Sequence, residues 1–362
     1  MEGYVDLEKA LGVAIKAARS AGDIMWEFYQ LRREHAAARA TREGGCQAPS
    51  AAAAAAPPKP SPLELLQIQT KSSANDLVTH YDTLCDETII KILQRHDAKV
   101  ENEKQKAGFA SFQFRFITEE ASPDAPLTDD PTWIVDPIDG TMSFVHGGCD
   151  CCVSIGLAIK KQTVLAVVYC PFLGSPQNSM DDSSPTAVPV GELYTAIRGK
   201  GAFLNGQAIR VAADVVPTTA LVTFNCPTRV RLSEEEMSKS KSQWESIKRE
   251  KHQKILEAAG HIRKELAMLP VQGLRSYGAC ALILAQVAAG RVDLYMEPAG
   301  MVWDVCAGSL LVTEAGGVVK NIRGGEFGLE GGTTIIAAAN ETLAEYAAKL
   351  CSEVGYGNYW EK

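Results

Sequence analysis

The stretch Trp133-Ile-Val-Asp-Pro-Ile-Asp-Gly-Thr141 joins a short apolar run to two carboxylates three residues apart and then to Gly-Thr. The apolar run is typical of the end of a buried strand, and the following proline favours an extended Asp136, so the strand is predicted to break here. Asp139 then precedes a segment that can open as a short helix, with backbone N–H groups at Gly140 and Thr141. Such N–H groups attract phosphate. The stretch therefore predicts a divalent-metal site beside a phosphate-binding turn.

Composition favours a globular enzyme. The chain has 362 residues, of which 46% are hydrophobic, so it can bury a large core. Its 36 basic and 44 acidic residues give a net charge of -8. That charge argues against a general affinity for nucleic acid or for anionic membranes.

Nothing in the sequence predicts secretion or membrane insertion. Residues 1–29 carry scattered acidic side chains, with Leu7, Leu11, Ala14 and Ala18 at helical spacing, and lack the basic start and apolar centre of a signal peptide. No apolar run approaches the roughly 18 residues that a membrane span needs. We therefore expect a soluble, cytoplasmic protein.

The ten cysteines are expected to be reduced, because no feature marks an oxidising compartment. Cys149, Cys151 and Cys152 form a cluster that suggests a metal site, but a second pair or a histidine at structural-zinc spacing is missing. The cluster runs directly into an apolar strand pattern. We therefore favour burial of these thiols in strand packing, with the metal site as the alternative.

Four segments differ in character from the rest of the chain. Residues 1–34 predict a long amphipathic helix. Residues 36–62 predict a disordered insertion, since the alanine run at 51–56 and the four prolines that follow it offer no apolar face to bury. Residues 98–110 are polar and predict a connecting loop. Residues 233–261 mix Glu, Lys and Ser with few apolar positions, which favours an exposed helix.

The remaining pattern predicts a layered fold. Strands and helices alternate, which favours mixed sheets with helices packed on both sides. We expect one catalytic unit, with an N-terminal α+β half at about 1–190 and a C-terminal α/β half at about 191–362. The predicted strands are 112–117, 155–159, 164–169, 193–197 and 292–296, and the predicted helices in this part of the chain are 86–95, 279–289 and one opening at 303.

Two further carboxylates occupy similar positions. Glu119 ends the apolar strand Phe116-Ile-Thr-Glu-Glu120, and Asp304 stands at the start of an apolar helix. Magnesium prefers oxygen ligands in octahedral geometry and keeps several waters, so a few carboxylates and a substrate phosphate suffice. Taken singly, these residues also fit ordinary roles, such as a capped turn for Asp-Pro-x-Asp or a helix cap for Asp304.

Five separated segments together resemble the inositol monophosphatase family, and they follow one another along the chain in the same order as in that family. They are Trp133-Ile-Val-Asp-Pro-Ile-Asp-Gly-Thr-Met-Ser-Phe-Val-His146, Trp303-Asp-Val-Cys-Ala-Gly308, Lys71-Ser-Ser-Ala-Asn-Asp-Leu-Val-Thr79, Gly199-Lys-Gly-Ala-Phe-Leu-Asn-Gly206 and Leu274-Arg-Ser-Tyr-Gly278. The resemblance covers most of the chain apart from the low-complexity insertion and parts of two polar segments. It implies alternating α-β-α-β-α layers, a homodimer, and a magnesium-dependent, lithium-sensitive phosphatase.

The resemblance also implies a ligand set for two or three magnesium ions. Glu119, Asp136 and the carbonyl of Ile138 would hold one ion, while Asp136, Asp139 and Asp304 would hold another. Asp136 would bridge the two ions, and a third, weaker ion would share Glu119. In the family this arrangement activates water and stabilises the leaving oxygen.

Catalytic and substrate-binding residues follow in the same way. Thr141 matches the threonine that orients the attacking water, and Asp82 matches the aspartate that supports it. Glu297 matches the residue that binds substrate hydroxyl groups. The implied substrate-binding set is Gly140, Thr141, Asp139, Ala279, Cys280, Glu297 and Asp304.

The substrate implied by this set is a phosphate monoester of a polyol, with myo-inositol monophosphate favoured by Glu297. Relatives acting on histidinol phosphate, sugar phosphates or adenosine bisphosphates stay as alternatives, as does a silent protein that only binds phosphorylated ligands. The chain departs from the animal members at two places. Ala279-Cys280 stands where they carry Thr-Ala, and residues 147–152 replace apolar and aromatic residues.

Overall fold

For the residues that it describes, the computed structural model of this protein has two mixed sheets, a two-stranded antiparallel sheet and three layers of helices. The structure describes residues 5–44, 64, 66–70, 77–106, 113–174, 191–225, 230, 232, 234–269, 271–330 and 334–359.

The larger sheet has seven strands in the order β3-β4-β5-β6-β7-β8-β9, and a small antiparallel pair, β1-β2, precedes it. The β3-β4 pair is parallel and the other neighbours are antiparallel. The bounds are Gln69–Thr70 (β1), Leu77–Val78 (β2), Arg115–Thr118 (β3), Thr132–Asp139 (β4), Cys152–Ile159 (β5), Gln162–Cys170 (β6), Glu192–Ile197 (β7), Ala202–Leu204 (β8) and Gln207–Ile209 (β9).

The smaller sheet has five strands in the order β11-β10-β12-β14-β13. Strand β10 pairs in parallel with β11 and β12, and β14 pairs antiparallel with β12 and β13. The bounds are Leu221–Phe224 (β10), Gly273–Arg275 (β11), Leu294–Glu297 (β12), Val318–Lys320 (β13) and Ile335–Ala338 (β14).

The helices that the structure describes fall into three layers. Their bounds are Leu7–Gly44 (α1), His80–Lys106 (α2), Thr141–His146 (α3), Glu234–Met237 (α4), Lys241–Met268 (α5), Cys280–Ala288 (α6), Val302–Glu314 (α7) and Glu341–Glu353 (α8), with short 3-10 turns at Pro217–Thr219 and Tyr356–Tyr359.

The buried side chains place these layers in order. One core lies between α1, α2 and the outer face of the larger sheet. A second lies between the other face of that sheet, helices α6 and α7, and the smaller sheet. A third lies between the smaller sheet and helices α5 and α8. The predicted α-β-α-β-α layering is therefore confirmed.

Strand β6 shows why the central strands are apolar throughout. Leu165 and Val167 pack into the core with α1, whereas Ala166, Val168 and Cys170 pack toward α6 and α7. A strand that is covered on both faces has no solvent side, so its sequence does not alternate between apolar and polar residues.

Two predicted boundaries were wrong. Helix α1 continues to Gly44, so the first part of the predicted 36–62 insertion is helical, and residues 45–62 lie outside the described residues. Helix α2 continues to Lys106 through most of the predicted 98–110 loop. Both extensions are rich in helix-forming residues such as Ala, Glu, Lys and Arg and contain no proline, and this composition favours a helix.

Two other differences concern the extent of elements. Strand β4 does not stop after Val135 but reaches Asp139, with an irregular register between Asp136 and Asp139. Helix α5 is not exposed throughout, because one face of its second half buries five residues, namely Ile255, Ala258, Ala259, Ile262 and Leu266. The larger sheet runs on to Ile209, past the predicted division at about residue 190, and that division stays a prediction.

Among the described residues, no helix combines the length and the apolar content that crossing a bilayer requires.

Candidate active site

Three carboxylates meet where β4 ends and α7 begins. Asp136, Asp139 and Asp304 each offer an oxygen, and these oxygens lie within 4.8 Å of one another. The sequence separates the first two from the third by more than 160 residues, so the layered fold itself assembles the group. Among the described residues, this is the one group of three or more potential ligands at that spacing.

The end of β4 is shaped to present both of its aspartates. The register with β5 shifts between Asp136 and Asp139, which is how two residues three apart face the same side of a strand. The Ile138 N–H donates to Asp136 Oδ1 at 3.1 Å. Gly140 then takes a left-handed conformation with φ of 89°, and a Cβ there would lie 2.8 Å from the Asp150 carbonyl oxygen. Glycine is therefore required at the turn into α3.

Helix α7 brings Asp304 to the same place. The helix lies close to β5, since a Cβ on Gly156 would come within 2.5 Å of Cys306 Sγ. Ser154 Oγ donates to the Trp303 carbonyl at 3.1 Å and so ties the first turn to the sheet. The Asp304 carboxylate accepts from the Met301 N–H at 2.7 Å, which caps the helix. The ordinary capping role and the site role are thus compatible.

Burial and repulsion act together on the two β4 carboxylates. Burial raises the pKa of Asp136 well above its usual range, and the charges of Glu119, Asp139, Asp304 and Asp82 raise it further. Burial also raises the pKa of Asp139, with Asp304 as the next cause. Several carboxylates in one buried space disfavour each other's ionisation unless a cation joins them.

Glu119 directly follows the neighbouring strand β3 and is not one of the three clustered carboxylates. Strands β3 and β4 are parallel, and the Glu119 N–H donates to the Val135 carbonyl at 3.1 Å, so its backbone stands beside that of Asp136. Its charge is the second cause, after burial, of the raised pKa of Asp136. The structure thus brings Glu119 to the edge of the site.

Asp86 is a buried acid near this edge that the sequence did not single out. Its Oδ2 accepts from Thr118 Oγ1 at 3.0 Å and from the Ala121 N–H at 3.1 Å, so it fastens the turn that carries Glu119. Burial raises the pKa of Asp86 to about 6. Its position one helical turn after Asp82 on α2 is the signal that could have identified it.

Thr141 and Asp82 form the predicted pair. Thr141 Oγ1 lies 3.1 Å from Asp82 Oδ1 and 3.1 Å from the Ile138 carbonyl oxygen, and its single proton can go to only one of them at a time. Asp82 is itself held by Thr79, whose N–H and hydroxyl both donate to Oδ2, at 2.7 and 2.6 Å. Burial raises the pKa of Asp82 to about 7, while the bonds from Thr79 lower it.

The start of α6 forms the opposite wall. The Ala281 N–H donates to Asp139 Oδ2 at 2.6 Å, so an aspartate from the larger sheet satisfies an N–H group in the first turn of this helix. The predicted substrate residues Ala279 and Cys280 directly precede this amide. The sequence could not reveal the contact, because it joins residues that are 142 positions apart.

Glu297 ends β12 on the same side. Its carboxylate accepts from Tyr295 Oη at 2.9 Å and from the Ala299 N–H at 3.0 Å, which fix its orientation. The charges of Glu297, Asp304 and Asp139, in that order, add to the effect of burial in raising the pKa of the Cys280 thiol. Cys280 therefore lies in the field of three of the predicted site residues.

The cysteine cluster divides between two environments. Cys151 and Cys152 are buried in the cores on the two sides of the larger sheet, as strand packing predicts, while Cys149 is exposed. Within the part of the chain that the structure describes, the cluster supplies no group of three potential metal ligands. The strand interpretation holds for two of the three thiols.

The acidic group fits a hard divalent cation. Its donors are carboxylate oxygens, and the described neighbourhood offers no cysteine or histidine within the group, which matches the preference of magnesium for oxygen. The raised pKa values of Asp136 and Asp139 are the expected sign of carboxylates that lack a compensating charge. The donor set is therefore that of a metal centre.

Comparison with known proteins agrees with this site. The model of the inositol monophosphatase family matches residues 6–356. "Inositol monophosphatase 2" of Solanum lycopersicum is 38% identical over 274 residues, covering 75% of this chain and 83% of the relative. "Inositol monophosphatase 1" of Homo sapiens is 34% identical over 292 residues, covering 78% of this chain and 84% of the relative.

Solved structures share the fold. The extragenic suppressor protein suhB from Bartonella henselae aligns with a TM-score of 0.63 and 26% identity, covering 94% of this chain and 98% of that one. An IMPase of Thermotoga maritima aligns with a TM-score of 0.61 and 22% identity, covering 96% and 98%. Because the family model spans nearly the whole sequence and the relatives exceed 30% identity, the chain belongs to the inositol monophosphatase family.

Proposed function

We propose that this protein is a magnesium-dependent phosphate monoester hydrolase that releases orthophosphate from myo-inositol monophosphate. The observation that carries the proposal is the convergence of Asp136, Asp139 and Asp304 within 4.8 Å, beside a hydroxyl held by a buried carboxylate. Family membership supports the same reaction class.

The metal ligands in this proposal are those that the family resemblance implies. Asp136, Asp139 and Asp304 would hold one magnesium, and Glu119, Asp136 and the Ile138 carbonyl would hold another, with a third ion sharing Glu119. When bound, the ions lower the pKa of a coordinated water and neutralise charge on the phosphate. Burial and the charges of neighbouring carboxylates raise the pKa of Asp136. A bound cation would relieve this repulsion, which favours occupation of the site by metal.

Thr141 orients the attacking water in this proposal. When its hydroxyl donates to Asp82 Oδ1, the lone pairs of Oγ1 are left to accept a hydrogen bond from water. If a cation takes the Ile138 carbonyl, the competing acceptor at 3.1 Å is lost, so donation to Asp82 is favoured. Asp82 then serves as the terminal proton acceptor of the pair.

The substrate sits between two walls. The phosphate lies against the turn at Gly140 and Thr141, whose backbone N–H groups can donate to it. The polyol lies toward Glu297 and the Ala279–Cys280 segment. Glu297 is suited to accept from a substrate hydroxyl because Tyr295 and the Ala299 N–H already fix its carboxylate. Asp139 would add a second hydroxyl contact.

The test is phosphate release from a panel of esters by the full chain. The panel contains myo-inositol monophosphates, histidinol phosphate, sugar phosphates and adenosine bisphosphate, each with magnesium, with a chelator, and with magnesium plus lithium. An Asp136→Asn preparation, purified in parallel, controls for contaminating phosphatases. We expect the highest kcat/KM on inositol monophosphate, no release in chelator, and slower release with lithium.

Each other outcome has a defined meaning. Preference for another ester would retain the metal chemistry and overturn the role of Glu297 in substrate choice. Silence toward every ester with magnesium present would overturn the proposal and favour a protein that only binds phosphorylated ligands. The complete acidic set argues against that last alternative.

Two properties implied by the family belong to the same proposal. We infer a homodimer, which light scattering of the purified chain would test. We also infer a cytoplasmic location, which imaging of a tagged chain would test. Both rest on the sequence and on the resemblance rather than on any contact of this chain.

A further inference from the structure

The segment Gly147-Gly-Cys-Asp-Cys-Cys152 carries an aspartate, Asp150, that has a specific place in the fold. Asp150 follows helix α3 and precedes β5. Its contacts with Gly140 and Gly278 place it between the phosphate turn and the start of α6. Its carboxylate accepts from the Gly278 N–H at 2.9 Å through Oδ2. Its other oxygen, Oδ1, accepts from Ser143 Oγ on α3. One carboxylate thus joins two segments that are more than 130 residues apart.

The neighbouring glycines leave room for this bridge. A Cβ on Gly148 would lie 2.1 Å from Ser143 Oγ and 2.7 Å from Asp150 Oδ1, so a side chain there would displace the contact. A Cβ on Gly278 would lie 2.3 Å from Asp150 Oδ2. The backbone of Asp150 also packs against Gly140, where an added Cβ would meet its carbonyl oxygen at 2.8 Å. The bridge and the glycines around it therefore form one fitted unit.

Asp139 fixes the start of α6 together with this bridge. Asp150 holds the amide of Gly278, and Asp139 holds the amide of Ala281 at 2.6 Å. Ala279 and Cys280 lie between these two anchored amides. Both anchors come from the segment of the chain that carries the phosphate turn, so they set the separation between the turn and the opposite wall.

We propose that Asp150 is a positioning residue that determines how well the pocket accepts the polyol part of the substrate. Its carboxylate keeps the Gly278–Cys280 wall at a fixed distance from helix α3. This inference rests on the proposed function, because only an occupied pocket gives the separation a consequence. Its carboxylate contacts Ser143 and Gly278 rather than a proposed metal ligand, so its removal should change KM rather than the chemical step.

The test compares Asp150→Ala with two matched variants. Asp150→Asn keeps an oxygen for the Gly278 N–H and offers an amide to Ser143 Oγ, so it should restore the bridge without the charge. Asp293→Ala removes a comparable contact elsewhere, since Asp293 Oδ2 accepts from the Leu221 N–H at 2.7 Å across 72 residues. Asp293→Ala should therefore reproduce a general loss of stability without affecting the pocket.

KM and kcat, measured on two substrates, separate an effect on the polyol pocket from an effect on the chemical step. For Asp150→Ala we expect KM for inositol monophosphate to rise about tenfold, as for loss of a hydrogen bond to a charged group, with kcat changed by less than about threefold. KM for p-nitrophenyl phosphate, which has no hydroxyl groups, should change by less than about twofold. Asp150→Asn and Asp293→Ala should both stay within about threefold of the wild type on both substrates.

Hydrogen exchange tests the bridge without any turnover. The amides of residues 278–281 should exchange at least about tenfold faster in Asp150→Ala than in the wild type or in Asp293→Ala. Unchanged exchange there, or equal effects of the alanine variants on KM, would overturn the proposal. Wild-type protein that hydrolyses no ester would instead overturn the proposed function, and exchange alone would then decide whether Asp150 holds this wall.

Discussion

The two sides of the site differ in how their carboxylates are surrounded. On the side of the larger sheet, Asp82, Asp136 and Asp139 are 1%, 2% and 8% exposed, and the pKa of each is raised mainly by burial. On the side of α6 and α7, Glu297 and Asp304 are only partly buried. Glu297 accepts from the Ala299 N–H in the loop after β12, and Asp304 accepts from the Met301 N–H at the start of its own helix. On the first side, burial disfavours the ionised carboxylates, and a bound cation would compensate for that. On the second side, backbone hydrogen bonds fix the orientation of the carboxylates.

The largest expected effect separates Asp136 from Asp304. Asparagine at either position should lower phosphate release about a thousandfold or more, because each change removes a proposed ligand. Without metal the two variants should differ. Asp136→Asn should raise the thermal midpoint more, since it removes a buried charge that four neighbouring carboxylates repel, whereas Asp304→Asn should raise it less, since Asp304 is only partly buried and an amide oxygen can still cap the helix. Calorimetry in chelator measures both.

Normal turnover in either variant would contradict the ligand assignment. Equal midpoints for the two metal-free variants would contradict the contrast between the two sides. Circular dichroism of each variant provides the control that the fold is intact.

Thr141→Val should come next in size. The change removes the hydroxyl that lies 3.1 Å from Asp82 while keeping the shape of the side chain, so kcat should fall about a hundredfold. Magnesium affinity, measured by calorimetric titration, should change by less than about threefold because no carboxylate is altered. A large loss of magnesium affinity would instead assign Thr141 to the metal site.

Asp97 shows that a raised pKa on this side does not by itself mark the site. It is a buried residue of helix α2 and accepts from Trp133 Nε1 on β4 at 3.1 Å. Burial is the chief cause that raises its pKa to about 7. The folded state therefore binds this proton more tightly than the unfolded chain does, and its stabilising effect is lost as pH rises. Between pH 5 and pH 7 the contribution to the free energy of unfolding should fall by about 2 kcal/mol.

Asp97→Asn should remove that part of the pH dependence while leaving an oxygen for Trp133. Denaturant unfolding at several pH values measures it, with Glu87→Gln, an exposed position on the same helix, as the control. A variant with the full pH dependence of the wild type would show that Asp97 titrates alike in both states.

Glu297→Gln should have the smallest effect and the most selective one. The amide cannot accept from a substrate hydroxyl as strongly as a carboxylate does, so kcat/KM for inositol monophosphate should fall about tenfold. For p-nitrophenyl phosphate the value should stay within about twofold. Equal losses on both substrates would mean that Glu297 acts on the phosphate or on the metal ligands rather than on the polyol.

Sequence patterns predicted the layers because strand and helix signals are local, and they placed each acid at the end of a strand or the start of a helix. Asp136 and Asp139 follow an apolar strand, Asp304 starts an apolar helix, and strand ends and helix starts meet at sheet edges. Family membership, predicted from the five matching segments, was confirmed. The ligand roles of individual residues stay predictions, since geometry alone does not identify the ion.

Other features could not be predicted because no local signal carries them. Asp150 and Gly278, or Asp139 and Ala281, are joined only through the packing of distant layers. Asp86 was missed because a polar residue on an amphipathic helix resembles an exposed one until the turn carrying Glu119 packs on it. The loop predicted at 98–110 was wrong because polarity was treated as a sign of irregular structure, although the residues favour a helix.

The most direct test of the central claim is a magnesium titration of phosphate release from myo-inositol monophosphate, starting from chelator-treated protein. If the buried carboxylates of the larger sheet require a cation to act, release should be absent at the start and should rise to saturation as magnesium is added, with the Asp136→Asn variant silent throughout. Release at the full rate before any magnesium is added, with chelator still present, would contradict the account.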